Sequence, residues 1–211
     1  MKKSVYSIVL MDDVIREVDK QAYLLGTSRS NLINQILAEH LSCVTPEMRM
    51  REIFDSLTGL ISSSFTVQEQ RSASLLTMKT ALEYKYRPTI NYKVALGRTP
   101  GTYIGDVRVM IRTQNPQLIS LFGNFFQWRA EMERDVFLAH GCRDYSSAAG
   151  TGFFSRRLID PGGGCENSGR AISSYLTQLD RHIQLYFSAP GSFPANAAKQ
   201  EFIAFADQYL L

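Results

Sequence analysis

Three histidines (His40, His140 and His182) and three cysteines (Cys43, Cys142 and Cys165) are the side chains of this 211-residue chain best suited to nucleophilic or metal chemistry. Only "HGC" at 140–142 sets an imidazole two residues from a thiol, and nothing in the sequence identifies an acid to orient the histidine, so the pair reads as a bystander. A ligand set of His140, Cys142 and Cys165 matches no standard metal spacing. Three thiols at unrelated spacings fit reduced cysteines better than a disulfide framework or a two-by-two zinc site. "GGGCENSG" at 162–169 lacks the Lys and Ser or Thr of a phosphate-binding loop and follows no clear strand, so it reads as a linker. The sequence therefore names no catalytic residue, no metal ligand and no cofactor.

Anion recognition is better represented. Within "LGTSRSNL" at 25–32 one helical pattern stops and another starts. A helix start presents free backbone N–H groups at the positive end of its dipole. The amides of Ser28, Arg29 and Ser30, with neighbouring side chains from Thr27 on, can thus hold a phosphate. Taken alone, the same residues read more simply as a helix cap, and only the strand-helix-helix frame turns the balance toward phosphate. A second set, Lys79, Lys85, Arg87, Lys93, Arg108 and Arg112, recurs on alternate positions of three β-like stretches, with Glu83 as the acid among them. That face is a candidate second anionic surface for DNA, RNA or a small anion, although a solvated strand face is the plainer reading.

The elements that must position these residues follow from periodicity. "SVYSIVL" at 4–10 is rich in β-branched residues and reads as a short strand, with Asp12 and Asp13 as candidate caps for the helix that follows. Val14, Ile15, Val18, Ala22 and Leu25 share one helical face, Gly26 supplies the stop, and Thr27 or Ser28 caps a second helix striped by Leu32, Ile33, Ile36, Leu37 and Leu41. A unit of some 43 residues with one strand and two single-striped helices is too small to stand alone, so it needs a partner.

The words "SVYSIVLMDD" and "LGTSRSNLINQIL", in this order and spacing, resemble the ribbon-helix-helix family of DNA-binding proteins over residues 3–41. The resemblance implies a homodimer in which two chains pair their strands into an antiparallel ribbon that enters the major groove of double-stranded DNA, above a four-helix core. It implies that Tyr6, Ile8 and Leu10 face the dimer core, that Val5, Ser7 and Val9 face the groove, and that the Thr27–Ser30 corner clamps the DNA backbone. Lys2 and Lys3 would add phosphate contacts. The chain departs from the family pattern in the groove, where Val5 and Val9 offer only apolar contact and Ser7 alone can hydrogen-bond, so discrimination leans on thymine methyls or DNA shape. Residues 1–43 carry Lys2, Lys3, Arg16, Lys20 and Arg29 against Asp12, Asp13, Glu17, Asp19 and Glu39, a balance of zero, so non-specific affinity should be weak.

Beyond "SCVTP", Thr45 and Pro46 open a helix striped by Met50, Ile53, Phe54, Leu57, Leu60 and Ile61. The period then becomes two: Leu76, Met78, Leu82, Tyr84 and Tyr86, next Ile90, Tyr92, Val94 and Leu96, and finally Val107, Val109 and Ile111 predict an antiparallel meander with one wet face. "NPQLISLFGNFFQWRAEMERDVFL" predicts the helix on its dry face, with Phe122, Phe125, Phe126 and Trp128 favoured as core over a ligand pocket. Residues 141–168 read as long loops, and two more helices end the chain.

The expected architecture is α+β: a ribbon-helix-helix domain over 1–44, a helical connector over 45–70 and a larger domain over 71–211, an antiparallel sheet packed by helices, for oligomerisation or effector sensing. No apolar run approaches the length of a membrane span and no signal peptide is recognisable, so the expectation is a cytoplasmic protein without a membrane partner. The expected function is that of a dimeric, sequence-specific transcriptional regulator, a repressor rather than an enzyme. The alternative is an accessory protein of DNA mobilisation or partition, or an antitoxin, that assembles with a protein partner.

Overall fold

The computed structural model describes residues 7–41, 43–61, 63–68, 72–85, 87–99 and 101–211. The chain is α+β and divides into two compact units, Met1–Arg49 and Met50–Leu211.

In the first unit, helix α1 (Asp12–Leu24) and helix α2 (Arg29–His40) meet at the glycine corner. Gly26 adopts φ 60°, which lets the Thr27 N–H reach the Ala22 carbonyl at 2.9 Å and the Gly26 N–H reach Tyr23 at 3.2 Å, so a left-handed cap ends α1. Two residues later the Ser28 hydroxyl accepts the Asn31 N–H at 3.3 Å and starts α2. Asp12 and Asp13, expected as caps, instead occupy the first turn of α1, where they meet the positive end of its dipole; Met11 takes the cap position without a side-chain bond. Val18, Ala22 and Leu32, with Ile33 against them, form the unit's small core. Ser7–Leu10, expected as strand, are not laddered, and the rest of that stretch, Ser4–Tyr6, lies outside the described residues, as do Lys2 and Lys3.

Helix α3 (Pro46–Leu60) begins where the Thr45 hydroxyl accepts the Met48 N–H at 3.1 Å. Its apolar stripe, Met50, Ile53, Phe54 and Leu57, is fully buried in the core of the second unit, so most of the segment expected as a connector is a packing element.

The second unit is built on a six-stranded antiparallel sheet in the order β1-β2-β3-β4-β6-β5. Strands β2 (Leu75–Ala81), β3 (Thr89–Leu96) and β4 (Tyr103–Arg112) form the expected three-stranded meander, and β1 (Thr66–Val67), which is not among the expected strands, pairs with β2. The strand expected to run through Tyr86 stops at Ala81: Leu82–Lys85 and Arg87 belong to the connection to β3, and Tyr86 lies outside the described residues. Residues 141–168, expected as loops, contain β5 (Ser147–Gly150), β6 (Phe153–Ile159) and the start of a helix.

Helices α4 (Pro116–Ala139), α5 (Gly164–Ser188) and α6 (Ala195–Gln208) complete the unit. Asn115 caps α4 by accepting the Gln117 N–H at 2.9 Å. One sheet face, with Leu76, Met78, Ile90, Tyr92, Val94, Val107, Val109, Phe154 and Leu158, is buried with these helices in a single core. Phe125 lies 5.1 Å from Phe126 and 5.2 Å from Tyr186, while Phe126 stacks on Phe154 of the sheet at 4.5 Å, so the aromatic cluster is core.

Candidate nucleic-acid interface

At the helix corner, Ser28, Arg29 and Ser30 are exposed and Thr27 is half-buried. The Asn31 amide is occupied by the Ser28 cap. Arg29 grips Asp19 of α1 with both arms of its guanidinium, each at 2.5 Å, and this hydrogen-bonded pairing raises its pKa. Both partners are about half exposed, at 55% and 45%, and an exposed pair of this kind is worth little, so a phosphate can compete with Asp19 for the arginine. Of the expected groove-facing residues, Ser7 and Val9 are exposed; Val5 lies outside the described residues with Lys2 and Lys3.

The first unit leaves much apolar surface uncovered. Val14, Val18, Leu25, Leu32 and Ile36 line a groove of about 570 Å³ rimmed by Asp13, Glu17 and Gln21. Leu25 is 61% exposed and Ile36 48%, and Ile8, one of the expected core residues of the ribbon, is 57% exposed.

On the second unit, the sheet face opposite the core carries four of the six cations expected there. Register places Lys93 opposite Arg108, Lys79 on the next row of this face opposite Asn91, and Arg112 one row further opposite Thr89. Lys85 and Arg87 fall in the turn between β2 and β3 instead, Arg87 with φ 42°. Arg157, on β6 opposite Asp106, joins the face. Nothing in the sequence marks it, because β6 shows no clear apolar alternation.

A third polar assembly joins residues that no motif in the sequence singles out. Arg129 and Glu133 on α4 and Arg156 on β6 are fully buried. Glu133 accepts Arg129 Nε at 2.5 Å and Tyr175 at 3.0 Å through one oxygen, and Arg156 Nη1 at 2.8 Å and Tyr145 at 3.2 Å through the other. Burial alone would push the carboxyl up; the two guanidiniums outweigh it and hold it below its usual range. The same burial raises Tyr145 and Tyr175, so both remain neutral donors. Arg156 also donates to the Leu211 carbonyl. Asp180 on α5 accepts Tyr92 at 2.7 Å and Thr80 at 2.8 Å, and burial raises its carboxyl against those bonds. Because these charges meet partners within the protein, the assembly fastens α4, α5 and the sheet to one another.

His182 belongs to the same assembly. Arginine has no acceptor, so His182 Nδ1 accepts from Arg129 at 2.8 Å, and Nε2–H donates to Glu201 at 2.7 Å. Burial, reinforced by Arg129, lowers its pKa to about 4. The folded state therefore binds fewer protons than the unfolded chain between pH 6.5 and 4. Its contribution is complete above pH 6.5 and is lost as pH falls toward 4, by at most about 3 kcal/mol. Urea unfolding of the protein and of a His182→Gln variant at pH 7, 5.5 and 4 should show a shallower loss in the variant. Identical pH profiles would contradict the assignment.

His140 pairs with Asp207 at 2.9 Å and with the Val136 carbonyl at 2.8 Å, and the Asp207 bond raises its pKa. Among the described residues no three His, Cys, Asp or Glu side chains gather in an arrangement able to hold a metal ion, and no helix is long and apolar enough to cross a membrane. Compared with protein-family models, with curated proteins and with solved structures, the chain gives no match.

Proposed function

We propose that this chain is a dimeric, sequence-specific DNA-binding regulator of transcription. Two first units pair through residues 4–10 and close their helices over one another, the paired strands enter the major groove, and the Thr27–Ser30 corner holds the flanking phosphates. Lys2, Lys3, Val5, Ser7 and Val9 meet the DNA, and occupancy of an operator represses the adjacent promoter. Residues 50–211 serve oligomerisation or effector sensing.

The observation that carries this reading is the uncovered groove of Val14, Val18, Leu25, Leu32 and Ile36. A unit whose own core is Val18, Ala22 and Leu32 buries too little apolar surface to offset its chain entropy, and a second copy supplies both the missing helix faces and a strand partner. Charge argues in the same direction: a neutral unit owes little to non-specific phosphate attraction, so useful binding must come from the fit of a symmetric pair.

A Val14→Glu, Ile36→Glu variant places two carboxylates in the groove. Sedimentation should show a smaller assembly for the variant than for the unaltered protein. Footprinting across the chain's own upstream region should show one bounded, two-fold symmetric tract that the variant no longer protects. A variant that protects the same tract with the same affinity would overturn the proposal.

A further inference from the structure

We infer that the open face of the six-stranded sheet is a binding surface for single-stranded nucleic acid, separate from the duplex-reading role proposed for the first unit. Lys79, Lys93, Arg108, Arg112 and Arg157 stand on this face over four strands, and Asp106 is the one acid between them among the described residues. None of the five makes an ion pair among the described residues, whereas Arg16, Arg29, Arg129, Arg156 and Arg181 each do. Unpaired cations gathered on one face repel one another, and a polyanion relieves that cost while releasing its own counterions.

The face also has a stacking element. Phe153 sits half-buried on it, with the Arg108 guanidinium 5.2 Å from its ring centre, and Tyr103 carries Arg157 at 4.9 Å. Beside Phe153 the surface sinks into a pocket of about 400 Å³ lined by Arg108, Met110, Arg112, Thr113, Thr151 and Phe153. A pocket of that size suits one nucleotide: the ring and Met110 offer an apolar floor for a base, and the two arginines stand where its phosphates would be held. Bases of a single strand are free to stack there, whereas in a duplex they are already stacked on one another, and this difference favours the single strand. A second copy of the face is disfavoured by like charge. An anionic membrane is a poorer match, because Phe153 and Met110 are half-buried between the cations and do not project beyond them.

The test is fluorescence anisotropy of the full chain with single-stranded oligo-dT and oligo-U, with duplex DNA of random sequence, and with anionic phosphatidylserine vesicles in a pelleting assay, at several salt concentrations. Single strands should bind more tightly than random duplex or vesicles. Arg108→Ala, Arg112→Ala should weaken them at least about tenfold and flatten the salt slope by roughly 0.7 per cation removed. Phe153→Leu should weaken them about tenfold while leaving the slope unchanged. Lys79→Glu, Lys93→Glu, on exposed or half-exposed positions, gives the same loss without touching the pocket. Ser7→Ala, Arg29→Ala should leave single-strand binding intact, which separates this surface from the ribbon. Unaltered single-strand affinity in the sheet variants, or preferential binding of duplex or vesicles, overturns the inference.

Discussion

Glu133→Gln is expected to lower the unfolding free energy by about 3–5 kcal/mol, measured by urea denaturation at neutral pH. Glutamine keeps the size of the side chain and an acceptor but not the charge. Glu133 alone stands between Arg129 and Arg156, both fully buried, and it takes two hydrogen bonds on each oxygen. Neutralising it removes the carboxylate both guanidiniums share in a low-dielectric interior, leaving Arg129 without a counter-charge and Arg156 with the Leu211 oxygen; the rings beside them are Phe202, 4.5 Å from Arg129, and Tyr175, 4.4 Å from Arg156. The loss comes from orphaning the arginines and not from a large net worth of the ion pairs. Replacing all three together, Arg129→Met, Glu133→Leu and Arg156→Met, should therefore recover much of it. A Glu133→Gln loss below about 1 kcal/mol would contradict this electrostatic account.

Gly105→Ala is expected to cost about 3 kcal/mol, because a small residue there sits under a close backbone crossing. A Cβ on Gly105 would lie 2.1 Å from the Ala95 carbonyl oxygen and 3.0 Å from the Leu96 Cα. Both obstacles are main chain, so strands β3 and β4 would have to part at the point where the β4–β6 register shifts between Tyr103 and Gly105. Hydrogen exchange should report the damage locally, at the Gly97 amide that donates to Ile104 at 2.8 Å. Gly101 has nothing within 4 Å of a would-be Cβ, so Gly101→Ala is the control and should change stability by less than about 1 kcal/mol. Equal effects at the two glycines would remove the steric explanation.

The parts of this fold that are legible in the sequence are those where polarity and burial agree. Strands β3 and β4 and helix α4 follow their apolar periods because Ile90, Tyr92 and Val94, or Phe122, Phe125 and Phe126, are both greasy and buried. Strand β6 hides for the opposite reason. Its inward residues are Phe154, Arg156 and Leu158, and a buried arginine in the middle erases the alternation that marks a half-buried strand. Arg129 and Glu133 are concealed in the same way: an i, i+4 charge pair on a helix ordinarily marks its wet side, and only the arginine supplied by β6 makes a dry one tolerable. Helix α5 starts eight residues before its first buried apolar residue of the expected stripe, Ile172, because "GCENSGRA" is small or polar; Gly169 is needed there, since a Cβ would meet the Ile53 carbonyl at 2.7 Å. At the candidate site, the corner at Gly26 and Ser28 was readable from residue chemistry, but the Asp19 partner of Arg29 was not, since ten residues and a helix turn separate them. Ser7–Leu10 form no ladder within one chain, and the ribbon reading assigns their hydrogen-bond partners to a second copy.

The claim that the first unit reads DNA as a pair is tested most directly by titrating the purified protein against fluorescent duplexes tiled across its own upstream region, beside random duplex, at several salt concentrations. Tight binding to one tile is expected, with a stoichiometry of two chains per site. Ser7→Ala, Arg29→Ala should weaken that tile by about tenfold or more and leave the weak binding to random duplex little changed. Equal, weak binding to every tile, with or without the two substitutions, would contradict it.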